Sequence, residues 1–293
     1  MKRQGWSAQW IQQLVFTGPA TAAFALIVAL PFFMGMYYSF TDWNGVADTA
    51  KFVGIDNFIT VFKDAGFRNS FIFTFKFTIV AVIISNLVGF LLALLLTQPV
   101  KSRNVLRTLF FMPNVIGGLL LGFIWQFIFI KGFAAIGEKT GWSLFNLPWL
   151  GDEPTAFWGV IIVTVWSTAG YLMVIYISAL INVPRELIEA ASIDGATSWQ
   201  RLRHITVPLI MPAVTISLFL ALSWSFKAFD VILSLTKGGP YNSTQSVALN
   251  IYLEAFQNNR YGLGTAKAFL FFLIVALLTT LQVWITKRRE VQI

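Results

Sequence analysis

Residues 186–208, ELIEAASIDGATSWQRLRHITVP, lie between two apolar runs that are each long enough to cross a bilayer. A short turn would join two spans, so a helix-forming connector calls for a separate explanation. Asn182-Val183-Pro184 reads as a helix start, because Pro is tolerated in the first turn where its missing N–H is not needed. Glu186 and Glu189 fall in the first two turns, where negative charge suits the positive end of the helix dipole. Ala190 and Ala191 favour the helix and leave it a thin face. Gly195 is a natural stop, since Gly takes the left-handed cap at no steric cost. Thr197 or Ser198 can cap a second short helix running through Trp199 to His204, and Pro208 and Pro212 mark where the next span opens. The product is a helix–turn–helix bracket. Its small side chains let another surface come close, and its acids and arginines can pair across that contact. The other reading is an amphipathic connector resting on lipid headgroups. Against it, the segment carries acids and is short of bulky apolar anchors.

Composition makes the chain an integral membrane protein. Hydrophobic residues form 57% of the 293 and charged residues 12%; a soluble domain carries about twice that charge. Mean hydropathy is +0.71. With no Cys there is no disulfide framework, thiol nucleophile or thiolate metal site. The net charge of +8 is spread over the ends of apolar runs rather than gathered in a patch, which argues for topology and against nucleic acid. Lys2 and Arg3 could open a signal peptide. The run from near Phe16 to about Phe40 is instead a first span, because it is long and has no small-residue cleavage site.

Six spans are expected, at about 16–40, 70–97, 108–130, 157–181, 207–233 and 264–286. With the N-terminus inside, the inner pieces hold Lys2, Arg3, Lys101, Arg103, Arg107, Arg185, Arg201, Arg203, Lys287, Arg288 and Arg289. The outer loops hold Lys51, Lys63, Arg68, Lys131, Lys139, Lys237 and Arg260 against eight acids. That bias puts the bracket and both termini on the cytoplasmic side. Trp6, Trp10, Trp43, Trp142, Trp149 and Trp158 fall near span ends, as interfacial anchors do. The expected organisation is an N-terminal head, first span and outer loop over 1–69, then a core over 70–293 with the bracket at 182–206.

At these residues the chain resembles a known family. Glu189-Ala190-Ala191, then Asp194-Gly195-Ala196, then Ile205-x-Val207-Pro208, is similar to the EAA loop of binding-protein-dependent ABC importer permeases, with Val207 where that pattern has Leu. Leu235-Thr236-Lys237-Gly238-Gly239-Pro240, followed by Asn242-Ser243-Thr244, resembles the LTxGGPxxST segment after the fifth span in the upstream subunit of maltose, glycerol-phosphate and multiple-sugar permease pairs. Leu109 to Pro113, LFFMP, resembles the start of their third span. The resemblance implies an all-α, polytopic type I importer permease, N-in and C-in, in a bacterial or archaeal cytoplasmic membrane. It implies that the bracket is a coupling helix seated in a cleft of an ATP-hydrolysing subunit, with Glu186, Glu189, Ala190, Ala191, Asp194, Gly195 and Arg201 at that contact. The implied partners are a second homologous permease, two ATP-binding subunits, an extracytoplasmic solute-binding protein and membrane lipid. This chain would bind no cofactor or metal, and ATP and Mg would sit on the ATPase subunits. ATP-driven closure of that pair would rock the spans while the binding protein delivers a sugar.

Charges near membrane depth are Lys76, Lys227, Asp230 and, at the edge, Lys267. A charge at mid-bilayer costs about 2.5–3.5 kcal/mol on insertion scales, so it faces a cavity, pairs or snorkels. Lys76 lies about two turns into its span and reads as snorkelling. Lys227 and Asp230, three apart, suit either a structural ion pair on one helix face or a polar lining for a translocation path. Sugar recognition needs hydroxyl and amide partners beside an aromatic face. The stretch Thr164 to Tyr171, TVWSTAGY, supplies all but the amide, and Ser223-Trp224-Ser225 with Phe229-Asp230 offers a similar mix. Carried over from the maltose-type family, the substrate path comprises Thr164, Ser167, Thr168, Tyr171, Ser225 and Asp230, and the charge at membrane depth adds Lys227 to it. Hydroxyls in membrane helices also simply bond to neighbouring backbone, which is the plainer account of each.

No catalytic motif is present: no GxxxxGK[ST], HExxH or GxSxG, and the one His, His204, lies in the bracket. Asn242-Ser243-Thr244 has the form of a glycosylation acceptor and reads here as outer loop. The competing function is an ion-coupled secondary transporter, which should show broken spans in two matching halves. Pro31, Pro113 and Gly117-Gly118 do not pair in that way. An intramembrane enzyme would need clustered carboxylates or His at one face, and Asp42, Asp152 and Glu153 do not cluster.

Overall fold

The computed structural model describes residues 6–99, 101–288 and 290, with side chains from Leu14 onward. Lys2, Arg3, Arg289 and the side chains of Trp6 and Trp10 lie outside the described residues. The chain is helical in the order α1 (residues 6–38), α2 (Asp56–Lys63), α3 (Ala65–Thr97), α4 (Arg103–Val115), α5 (Gly118–Thr140), α6 (Glu153–Ile181), α7 (Arg185–Ile193), α8 (Ser198–Leu209), α9 (Met211–Phe226), α10 (Asp230–Leu235), α11 (residues 247–257) and α12 (Tyr261–Lys287). Among the described residues, five helices are long and apolar enough to span a membrane, or six if the bent pair α8 and α9 counts as one.

Four of the expected spans coincide with α1, α3, α6 and α12, the last beginning three residues earlier than expected. The other two differ. The third is not a continuous helix over 108–130. α4 ends at Val115, Ile116 and Gly117 are extended, and the long apolar helix restarts at Gly118. The LFFMP residues therefore end α4 rather than opening a span. Gly117 and Gly118 sit at the break because Gly loses most by being fixed in a helix. The fifth is not continuous over 207–233 either. It bends by 71° between α8 and α9, then stops at Phe226 before α10.

The described chain forms two compact units, residues 1–64 with 251–270, and residues 65–250 with 271–293. In the first, the segment after α1 folds against the start of α12. Gly262 N–H donates to the Trp43 carbonyl at 2.8 Å, and a Cβ at Gly262 would overlap the Thr41 carbonyl. Tyr38 stacks on Trp43 with centroids 4.2 Å apart, and Tyr261 meets Trp43 edge-on at 5.0 Å. Lys267, fully buried, pairs with Asp64 at 2.7 Å and Glu254 at 2.5 Å, and Arg260 reaches Glu254 at 3.4 Å. Two carboxylates thus offset the cost of burying this lysine.

In the second unit α3 and α6 share the most extensive packing. A Cβ on Gly89 would lie 2.9 Å from the Ala169 carbonyl, so these helices approach as small-residue interfaces in membranes do. Val82, Ala93, Leu172, Met173, Tyr176 and Ile177 form the core there, with Ile210, Ala213 and Ala221 from the α8–α9 side. A polar pair inside is satisfied: Tyr176 donates to Asn86 Oδ1 at 2.8 Å, and Asn86 Nδ2 to the Val82 carbonyl at 2.8 Å. Gly170 sits against the Phe110 carbonyl and Gly122 against Ser234, which brings α4 onto α6 and α5 onto α10.

Candidate functional site

Two interrupted spans meet at a cavity of about 330 Å³. One interruption is the extended pair Ile116 and Gly117 between α4 and α5. The other follows α9, where Lys227 closes the helix, Phe229 has φ −130° and ψ −61°, and α10 begins at Asp230. The Ala228 carbonyl freed by this break accepts a hydrogen bond from Ser246 Oγ at 2.8 Å. Non-helical backbone at membrane depth is tolerated where it is buried in protein or lines a cavity, and broken helices turn their charged ends toward such a space. Lys227 stands at the negative end of α9 and Asp230 in the first turn of α10, so each charge offsets the partial charge of its own helix end.

This arrangement corrects the expected shared helix face for Lys227 and Asp230. The break removes the three-residue helical register, and among the described residues the two form no ion pair. Both are exposed and line the cavity. From α6 come Thr164, Ser167 and Thr168; Ser167 Oγ donates to the Thr164 carbonyl at 3.0 Å. Thus five of the seven path residues expected from the sequence surround one space. Tyr171 and Ser225 do not. Tyr171 stands behind the cavity wall, edge-on to Trp224 at 5.1 Å, and Ser225 is buried with its carbonyl accepting from Ala228 N–H at 3.2 Å. Asn114, Trp224 and Phe229 also line it, with apolar residues of both breaks. Asn114 supplies the amide that the α6 stretch lacks. Its signal in the sequence was its place two residues before the break, immediately after Pro113.

The bracket forms as its sequence dictates. α7 begins directly after Pro184 and stops ahead of Gly195, which has φ +78°. Thr197 caps α8 reciprocally with Gln200: Gln200 N–H donates to Thr197 Oγ1 at 3.3 Å, and Thr197 N–H to Gln200 Oε1 at 2.7 Å. Arg201 is committed inside the bracket, donating to Ser192 Oγ and, at 3.1 Å, to Ser198 Oγ. It therefore braces the two helices against each other. Glu186, Glu189, Ala190, Asp194 and Gly195 are exposed and Ala191 half-buried. A cleft of about 370 Å³ opens between Asp194, Gly195, Gln200, Arg201 and His204. The bracket also carries bulky apolar groups, contrary to the sequence reading: Ile193 is 87% exposed, Trp199 66%, and Leu187 is exposed as well. Exposed aromatic and aliphatic anchors amid charges suit a protein contact.

Residues 85–291 match the family described as binding-protein-dependent transport system inner membrane component. Over 280 residues the chain is 49% identical to the probable starch degradation products transport system permease protein AmyD of Thermoanaerobacterium thermosulfurigenes, covering 95% of this chain and 94% of that one. It is 34% identical to the multiple sugar-binding transport system permease protein MsmF of Streptococcus mutans, covering 89% and 90%. In fold it is similar to a chain of a bacterial alginate ABC transporter solved in complex with an alginate pentasaccharide-bound periplasmic protein, with a TM-score of 0.81, 20% identity and 98% of each chain covered.

Proposed function

The chain belongs to the binding-protein-dependent transport system inner membrane component family and is the permease subunit of an ABC sugar importer; from that premise we propose that the cavity between its broken spans is a sugar-binding stretch of the translocation path and that its bracket seats in an ATPase subunit. The observation that carries this reading is the convergence of two helix breaks, α4–α5 and α9–α10, on one polar, aromatic-walled space. Asn114, Thr164, Thr168 and Asp230 are hydrogen-bonding partners for sugar hydroxyls, Lys227 is a further donor, and Trp224 and Phe229 offer apolar faces to a pyranose ring.

One cation and one anion leave the lining without net charge, which favours a neutral sugar over an anionic one. The likeness to a starch degradation products permease narrows the proposal to unbranched glucose oligosaccharides. The chain carries no catalysis. It works with a second homologous permease, two ATP-binding subunits that hold ATP and Mg, and an extracytoplasmic binding protein. Glu186, Glu189, Ala190, Ala191, Asp194 and Gly195 form the ATPase contact, while Arg201 holds the bracket's shape. Tyr171 and Ser225 act on the path from behind its wall. Closure of the ATPase pair pulls the bracket and rocks the spans. Broken spans also serve ion-coupled carriers, but family membership assigns the energy source to ATP.

Affinity purification from the native host in mild detergent tests this reading. The native chain should bring down an ATPase and a second permease. Gly195→Trp should lose the ATPase and keep the permease. Space around Gly195 is open, with nothing within 4 Å of a Cβ, so the variant side chain meets no packing of this chain; its left-handed φ of +78° does strain the turn, and Gly195→Asn, which fits that region better, is the control for that strain. Recovery of the chain alone, unaffected by the variant, would sink the proposal.

A further inference from the structure

A larger cavity lies elsewhere. A vestibule of about 710 Å³, within the size range of small-molecule sites, lies among the first turns of α3, the first turns of α6 and the loop at 241–245. We propose that it is a second sugar subsite, which holds one end of an unbranched oligosaccharide while the other end occupies the cavity between the broken spans; this rests on the sugar-importer reading above.

The lining is of the carbohydrate-binding kind. Asn69, Lys76 and Glu153 stand around it on helical scaffolds, and Asn242 and Ser243 face them from the loop. Phe157, edge-on to Phe73 at 6.2 Å, gives it an aromatic wall. Lys76, expected from the sequence to snorkel, instead faces this space, and among the described residues it forms no ion pair with Glu153. Ser243 Oγ is shielded from solvent and has no hydrogen-bond partner among the described residues.

The loop holds its side chains in place against an intrinsic backbone preference. Tyr241 has φ +51° and Asn242 φ +61°, a region that Asn tolerates and Tyr rarely occupies. Such strain persists only where surrounding structure over-determines it, and it gathers at ligand sites. Here hydrogen bonds from both flanks fix the loop. Ser70 Oγ donates to Gln245 Oε1 at 2.9 Å, Val247 N–H to Thr74 Oγ1 at 2.9 Å, and Thr244 N–H to the Gly238 carbonyl at 3.1 Å. The loop is thereby fastened to α3, yet Tyr241 itself is 93% exposed. Its ring is presented rather than packed.

Register along α6 links the two spaces. Phe157 in the vestibule and Thr164 in the cavity are seven residues apart, hence on one face of the helix and about 10 Å apart along it. A chain of several sugar rings can seat rings in both spaces at once, whereas a disaccharide seated in one leaves the other largely empty. Length dependence is therefore the signature of the second subsite.

The test uses the complete assembly with its partner subunits, reconstituted in vesicles with ATP and supplied with binding protein. Uptake of a glucose disaccharide and a glucose hexasaccharide is compared for the native chain and for Tyr241→Ala with Asn69→Ala, both exposed positions. The expected result is a rise of about tenfold in KM for the hexasaccharide, with the disaccharide within twofold and ATP hydrolysis stimulated by sugar-free binding protein unchanged. Equal loss for both sugars, or no loss for either, overturns the subsite. A fall in binding-protein stimulation identifies the loop as a protein-docking surface and overturns it too. A native assembly that takes up neither sugar overturns the glucose-oligosaccharide reading itself.

Discussion

Lys227 closes one helix and Asp230 opens the next, so two opposite charges three residues apart line the same cavity without pairing. Each remains available to a ligand because each is already balanced by its own helix end. Lys227→Gln keeps a donor and removes the charge. For a neutral sugar, uptake should stay within about fivefold of native, while Lys227→Met should lower it by about tenfold or more, in line with about 1.5–3 kcal/mol for a hydrogen bond to a charged group. Equal loss in both variants would show that the charge itself is recognised and that the substrate is anionic.

Gly195 is the bracket's one left-handed glycine, and no neighbour crowds it. Gly195→Ala should destabilise the turn by about 1 kcal/mol, and Gly195→Asn by less, because Asn visits this region more readily. Protease sensitivity of the bracket in the purified assembly should follow the order Ala, Asn, Gly. ATPase capture should decline with side-chain size instead, in the order Gly, Ala, Asn, Trp.

The buried Lys267 makes an asymmetric prediction. Lys267→Met leaves Asp64 and Glu254 facing each other and should cost about 3–5 kcal/mol. Adding Glu254→Gln and Asp64→Asn removes the stranded charges, and the triple variant should melt within a few degrees of native. A triple variant no more stable than Lys267→Met would show that the network's geometry, and not its charge balance, is what matters.

Gly170 has no room for a side chain, since a Cβ there would overlap the Phe110 carbonyl. Gly170→Ala should force α4 off α6 and lower the melting temperature, at an overpacking cost of about 1–3 kcal/mol. Gly18→Ala, also inside a helix but with nothing within 4 Å, is the matched control and should hold the melting temperature or raise it slightly.

What could be read in the sequence was local. The bracket's helix start, its Gly195 stop and its Thr197 cap are each set by residues within four positions, and the structure reproduces them. The breaks were harder. Gly117 and Gly118 marked a weak point, but apolar residues on both sides made the third span look continuous. The interruption after Phe226 depends on Ser246, eighteen residues downstream, accepting the task of satisfying the Ala228 carbonyl. Likewise no window along the chain connects Lys267 to Asp64, or Asn114 to Thr164. The hydroxyls that line the cavity were legible because they are concentrated on one helix, and Asn114 was missed because it comes from another.

The 71° angle between α8 and α9 has a mechanical meaning. α8 belongs to the bracket, and α9 runs 16 residues, about 24 Å, from the elbow at Ile210 to Lys227. Two stiff arms joined at such an angle behave as a bell crank, in which a pull on one arm becomes a sideways swing at the tip of the other. The tip here carries Lys227, and the segment beyond it is already uncoupled from the arm by the missing helical bonds. On the reading proposed above, a small stroke at the membrane face would reach the cavity between the broken spans, with little deformation asked of the rest of the bundle.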